Sequence, residues 1–270
     1  MARMVVTILG CGSSGGVPRV AQGWGKCDPD EPRNRRRRCS ILVEREGTGG
    51  KTSVLIDTSP DLREQLIDAG VKALDAVVYT HEHADHTHGI DDLRPLVIAH
   101  RRRVPVYADS TTMGMLTSRF GYCFATPQGS DYPPILTGHL IEQDKPFEID
   151  GAGGPIRFQP FPLVHGNIEA LGFRIDGFAY TPDVSAIPEA SVAHLGALDC
   201  WVIDALRETP HPTHFSLSEA LDWIDRQKPR QAVLTNLHTD LDYAKLSADM
   251  PLDIRPAYDG LRITWETSAM

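Results

Sequence analysis

Three histidines and an aspartate crowd into the run Thr80-His81-Glu82-His83-Ala84-Asp85-His86. Imidazole with a single carboxylate suits zinc, and also manganese or iron where oxygen ligands and water complete the shell. The run follows Asp75-Ala76-Val77-Val78-Tyr79, a short apolar stretch that reads as a buried strand, and Gly89 ends the polar segment. The candidate ligands therefore lie on a strand-to-helix loop. There His81 and His83 can turn to one side, while Asp85 and His86, entering a first helical turn, point to the other. That arrangement reads as half of a two-metal site. One or two histidines in a loop are usually solvated, but three with an aspartate at this density point to metal binding.

His-x-His-x-Asp-His after a strand resembles the signature of the metallo-β-lactamase superfamily. The resemblance implies an α/β fold, a four-layer αββα sandwich over a single domain of residues 1–270, with two divalent metal ions, Zn or Mn. It also implies three more ligands downstream, each just after a strand, and one candidate for each stands in order. His165 follows the run 156–164, Asp183 follows 177–182, and His238 follows 232–237. By resemblance, His81, His83 and His165 hold one metal, Asp85, His86 and His238 hold the second, and Asp183 bridges. Asp57, in Val54-Leu55-Ile56-Asp57-Thr58-Ser59, resembles the acidic residue that orients ligating imidazoles in that family. His88, His100, His139, His194 and His211 match no ligand slot and read as ordinary surface or loop residues.

The elements that must carry these residues alternate in the manner of a layered α/β fold. Apolar runs predict strands over 5–9, 40–44, 53–57, 76–80, 105–108, 156–163, 169–175, 178–181, 200–204, 231–235 and 261–265. Helices are predicted over 60–69, 91–100, 110–120, 188–195 and 216–227, the last opened by the capping-box pattern Ser216-Leu217-Ser218-Glu219. At 270 residues and 41% hydrophobic content the chain can bury a full core. The Gly/Pro-rich stretch 150–155 lies between two strand-like runs and reads as a hairpin turn, not a tether.

No apolar run approaches membrane-spanning length, and the five scattered cysteines make a poor disulfide framework, so a soluble cytoplasmic protein is expected. Cys123 and Cys200 read as small buried side chains. A net charge of -9 argues against an extended nucleic-acid surface. A homodimer is compatible with the sequence.

Three features address the substrate. The loop Gly10-Cys11-Gly12-Ser13-Ser14-Gly15-Gly16-Val17-Pro18 lets backbone N–H groups approach an anionic oxygen, which makes Ser13, Ser14 and Gly15 candidate phosphate contacts. The cluster Arg35-Arg36-Arg37-Arg38 reads first as a solvated face, with a phosphate clamp as the alternative. His214, before the helix at 216–227, resembles the non-ligand histidine that phosphodiesterase branches place near the leaving group, and it joins the metal ligand Asp85 as a catalytic candidate. Together these features look most like the PhnP-type cyclic phosphodiesterases. That family's best-known member has a cysteine-rich insertion that holds an extra zinc. This chain keeps only Cys27 and Cys39 in the region, so no third zinc is expected.

The activity so implied is hydrolysis of a small cyclic phosphate or nucleotide-like phosphodiester, with a metal-bridging hydroxide as nucleophile. Ribonuclease Z-like activity, thioester hydrolysis and a non-catalytic nucleotide sensor are the alternatives. The sequence lacks the long Gly/Pro-rich basic arm that would hold a folded RNA.

Overall fold

A computed structural model describes residues 2–267. In chain order the elements are β1 (Ala2–Gly10), β2 (Ser40–Gly47), β3 (Gly50–Ile56), α1 (Leu62–Asp68), β4 (Ala76–Val78), α2 (Ala84–Thr87), α3 (Arg94–His100), β5 (Val104–Ala108), α4 (Ser110–Phe124), β6 (Leu136–Leu140) and β7 (Phe147–Ile149). They continue as β8 (Ile156–His165), β9 (Ile168–Ile175), β10 (Phe178–Thr181), α5 (Glu189–Val192), β11 (Cys200–Asp204), α6 (Leu217–Gln227), β12 (Ala232–Thr235), α7 (Tyr243–Asp249), β13 (Ile254–Pro256) and β14 (Arg262–Thr267).

The chain forms two compact units that interleave in sequence. One takes Met1–Leu9, Ser40–Arg157 and Arg262–Met270; the other takes Gly10–Cys39 and Phe158–Leu261. The first unit holds a mixed sheet in the order β14-β1-β2-β3-β4-β5-β6. Its edge pair β14 and β1 is antiparallel, as is the β2–β3 hairpin, whereas β3, β4, β5 and β6 run parallel. The second unit holds strands in the order β13-β12-β11-β10-β9-β8. There β10 to β13 are parallel, and β8, β9 and β10 are antiparallel.

Burial explains which runs the sequence made easy to read. Strands β4 and β11 and the second half of β3, Val54-Leu55-Ile56, are apolar almost without interruption because a parallel strand is covered on both faces. Val54, Leu55, Ile56, Ala76, Val77 and Val78 are all fully buried. In the first unit Leu55, Val77 and Val106 pack with Leu62, Leu66, Leu93 and Leu116 from the helical segments. In the second, Trp201, Ile203 and Leu234 pack with Ala220, Ile224 and Leu246. The capping box at Ser216 forms as expected: Ser216 Oγ accepts from the Glu219 backbone N–H, and the Glu219 carboxylate accepts from the Ser216 N–H.

The structure adds β6, β13 and α7, which hydrophobic pattern did not announce. Strand β6 exposes four of its five residues, and β13 ends the sheet order with three residues including Pro256, so neither carries an apolar period. Helix α7 spans seven residues and starts at Asp242, whose side chain accepts from Lys245 N–H. The turn at 150–155 joins β7 to β8. A Cβ at Gly153 would lie 2.0 Å from the Arg45 carbonyl, so only glycine fits there. All five cysteines are free and buried, and no helix among the described residues is long and apolar enough to cross a membrane.

The arginine run is not a solvated face. Arg36 is 1% exposed, and its guanidinium donates to Asn34 Oδ1 at 3.1 Å, to the Leu241 carbonyl at 2.7 Å and to the His238 carbonyl at 3.3 Å. Arg37 pairs with Asp259 at 3.1 Å, and Arg35 lies 5.3 Å over the Trp24 ring. Leaving several buried acceptors unpaired costs roughly 1–3 kcal/mol apiece. Arg36→Ala is therefore expected to lower unfolding free energy by about 3 kcal/mol in urea, and exposed Arg35→Ala by under about 0.5 kcal/mol. Equal, small effects would assign the cluster to the surface after all.

Candidate metal centre

In the first unit the site residues stand at the carboxyl ends of parallel strands, where open α/β sheets place ligands. Asp57 follows β3, and the run His81 to His86 follows β4 into α2. Asp57 is fully buried at φ +64°, a left-handed conformation that aspartate tolerates better than most residues. Its carboxylate accepts from the Thr80 N–H at 2.8 Å, the Thr80 hydroxyl at 2.8 Å and His86 Nδ1 at 2.7 Å. Because the Thr80 hydroxyl gives its proton to Asp57, its oxygen accepts from His81 Nδ1, 3.0 Å away. Both imidazoles are thereby set as Nδ1–H tautomers, which directs the Nε2 lone pairs to a ligand. The His81 ring lies 4.7 Å from that of His83 and 4.3 Å from that of His86, and Asp85 Oδ2 lies 3.5 Å from His86 Nε2. Burial pushes the Asp57 carboxyl up, and the His86 imidazole beside it opposes that shift.

The second unit repeats the device. His165, the last residue of β8, donates Nδ1–H to the Thr213 carbonyl at 2.6 Å, and its Nε2 lies 3.7 Å from Asp183 Oδ2. His165, Asp183 and His214 each bring one donor atom within 4.8 Å of the others. His238, beyond β12, has Nδ1 at 2.8 Å from Asp240 and Nε2 at 2.5 Å from Arg19 Nη1. The donor set in each unit, imidazoles with one carboxylate, fits a divalent cation.

His214 differs in its partner. Its Nδ1 lies 2.8 Å from Asp204 Oδ2, at the end of β11, and 3.1 Å from Asn236 Nδ2. Asp204 is fully buried, and desolvation pushes its carboxyl up to about 7, the neighbouring His214 charge opposing the shift. Asp204 also accepts from Val184 N–H at 3.1 Å, next to Asp183. Asp204 and Arg19 were absent from the sequence reading. For Asp204 the signal was a carboxylate closing an otherwise apolar strand, Trp201-Val202-Ile203-Asp204. For Arg19 no spacing pointed to it.

The glycine loop is close-packed. Gly12 bridges to Arg38 and Leu237, and a Cβ there would lie 2.9 Å from the Arg36 carbonyl. The N–H groups of Ser13 and Gly16 are used within the unit, on the Leu237 and Ser13 carbonyls. The Arg19 guanidinium lies where a Gly15 side chain would project. Ser13 Oγ is buried with no hydrogen-bond partner among the described residues, and Ser14 is exposed.

The family described as the beta-lactamase superfamily domain matches residues 52–236, well over half of the chain. The chain belongs to the metallo-β-lactamase superfamily. It has the superfamily's two mixed sheets flanked by helices. A crystal structure described as a new diphosphatase from the PhnP family is 36% identical, with a TM-score of 0.87 and 98% of each chain covered. Zn(2+)-bound PqqB from Methylobacterium extorquens is 20% identical, with a TM-score of 0.72 over 96% of this chain and 99% of that one, a likeness of fold alone. An octanoyltransferase of Porphyromonas gingivalis (strain ATCC BAA-308 / W83) is 33% identical over 259 residues. That match covers 94% of this chain and 50% of the relative, so the chain spans about half the length of the curated protein it matches.

Partners that fix an imidazole's tautomer typically change metal affinity about 10- to 100-fold when removed. Asp57→Asn keeps the left-handed backbone but loses one charged acceptor. Competition with a chromogenic chelator is expected to show that loss in zinc affinity, with the far-ultraviolet circular dichroism spectrum unchanged. Unaltered affinity would leave Asp57 a purely structural residue.

Proposed function

We propose that this chain is a binuclear metal-dependent phosphodiesterase acting on a small cyclic phosphate or nucleotide-like phosphodiester, with residues 1–270 working as one domain in the cytoplasm. In this reading His81, His83 and His165 would hold one metal and Asp85, His86 and His238 the other, with Asp183 as the ligand they would share. Zinc and manganese both suit the donors. The 36% identity to a diphosphatase supports the substrate class. The observation that carries the reading is the His214–Asp204 pair, a partly exposed histidine beside the candidate ligands whose Nδ1 is held by a buried carboxylate.

When bound, the two cations lower the pKa of water and offset charge on the phosphate oxygens. The protein's own contribution is proton placement. Asp204 fixes His214 through Nδ1, so Nε2 is the atom that gives a proton to the departing oxygen. The side chain of His214 is 14% exposed, which leaves it reachable by substrate, and that of Asp204 is fully buried. Ser13, Ser14 and Gly15 are proposed to line the phosphate side.

Removing a positioned general acid typically costs about 10²- to 10⁴-fold. His214→Ala is expected to retain two metals and to lose turnover of a 2′,3′-cyclic nucleotide by that factor, with a much smaller loss on bis-p-nitrophenyl phosphate, whose leaving group needs no proton. Equal losses on both substrates would remove the acid role. His81→Ala is expected to lose metal by elemental analysis and activity on both.

The octanoyltransferase relative favours acyl chemistry as the second reading. Metal-loaded protein that cleaves an octanoyl thioester and neither diester would move the assignment there.

A further inference from the structure

Within the first unit a crevice of about 670 Å³ opens between the metal-ligand loop and α4, lined by His83, Ala84, His88, Arg119 and Phe120. Neither His88 nor Arg119 has a role in the chemistry described above. The Arg119 guanidinium donates Nη1–H to the Glu82 carbonyl at 2.8 Å, and Glu82 lies between the candidate ligands His81 and His83. Arg119 is exposed, and no carboxylate among the described residues pairs with it. A guanidinium has five N–H donors in a fork that matches phosphate, so most of its capacity faces outward from the ligand loop. Phe120 departs from helical geometry inside α4, at φ -127° and ψ 34°, and its ring meets that of His88 edge-on at 5.5 Å. A fixed cation and a half-buried aromatic therefore share one opening beside His83.

We propose that this crevice is a leaving-group subsite: a flat ring of the nucleobase class packs on Phe120 and His88, and a second phosphate engages Arg119. The proposal deepens the phosphodiesterase reading, from which it takes only the position of the first phosphate. It selects diphosphate esters of nucleosides over simple diesters. Base stacking on an aromatic and a hydrogen bond to a charged group each contribute about a tenfold change in affinity.

Titration calorimetry of the metal-loaded protein with ADP, AMP, ribose 5-phosphate and inorganic phosphate separates the two contacts without requiring turnover. Wild type is expected to bind ADP about tenfold more tightly than AMP. Arg119→Ala is expected to erase that difference, and Phe120→Leu to weaken ADP and AMP about tenfold while sparing ribose 5-phosphate. Inorganic phosphate and metal content are expected to stay unchanged in both variants. With ADP-ribose as substrate, Arg119→Ala is expected to raise KM at constant kcat. Unchanged ADP binding in Arg119→Ala, or parallel loss of ADP, phosphate and metal, would overturn the subsite and leave Arg119 a brace for the ligand loop. Absence of turnover on every diester would instead count against the phosphodiesterase reading, and the nucleotide affinities would still decide the subsite.

Discussion

An imidazole can offer a cation only one of its nitrogens, and the partner of the other nitrogen decides which. In this protein the decision is made at Nδ1: Thr80 Oγ1 for His81, Asp57 for His86, the Thr213 carbonyl for His165 and Asp240 for His238. For His81, His86 and His165 the anchor leaves Nε2 as the candidate donor atom, whereas Nε2 of His238 meets Arg19 Nη1 at 2.5 Å. Much of the local architecture serves those anchors. Asp57 is the costliest of them, since a fully buried carboxylate must be compensated by hydrogen bonds, and among the described residues it receives them from Thr80 and His86.

The anchors are placed by strand register. In the first unit Ile56 pairs with Val78, which sets Asp57 one residue beyond β3 beside the ligand loop that leaves β4. In the second, Thr181 pairs with Ile203 and Asp204 with Thr235, so Asp183, Asp204 and Asn236 emerge from three adjacent parallel strands at the same end. A slip of one residue in either sheet would send these side chains to the opposite face. The apolar character of β4, β11 and the second half of β3 is thus a condition of the chemistry as well as of stability.

Charge is handled locally in a protein that is acidic as a whole. Arg36 is buried against carbonyls of the segment that bears His238, Arg37 pairs with Asp259, and Arg19 contacts His238 itself. Burial pushes Asp259 up to about 6, against the hydrogen bonds it accepts from Arg37. The basic run thereby braces the loops of its own unit.

The sequence alone determined where the histidine cluster stands after its strand, the order of the downstream candidates and the parallel strands, because fully buried strands and dense histidine clusters leave a local signature. The same held for α6, whose capping box closes within four residues. Short edge strands such as β6 and β13 left no such period, and α7 was too brief to show one. Tertiary structure alone decided what each polar residue faces. Four consecutive arginines look alike in sequence, yet one is buried on carbonyls and one lies over a tryptophan ring. Asp204 reads as the end of a strand until His214, ten residues on, is brought to 2.8 Å. Arg119 is a lone charge on helix α4 until folding sets it on the Glu82 carbonyl. Hydrophobic period is a property of neighbours along the chain, whereas a hydrogen bond belongs to neighbours in space, and only the folded chain specifies those.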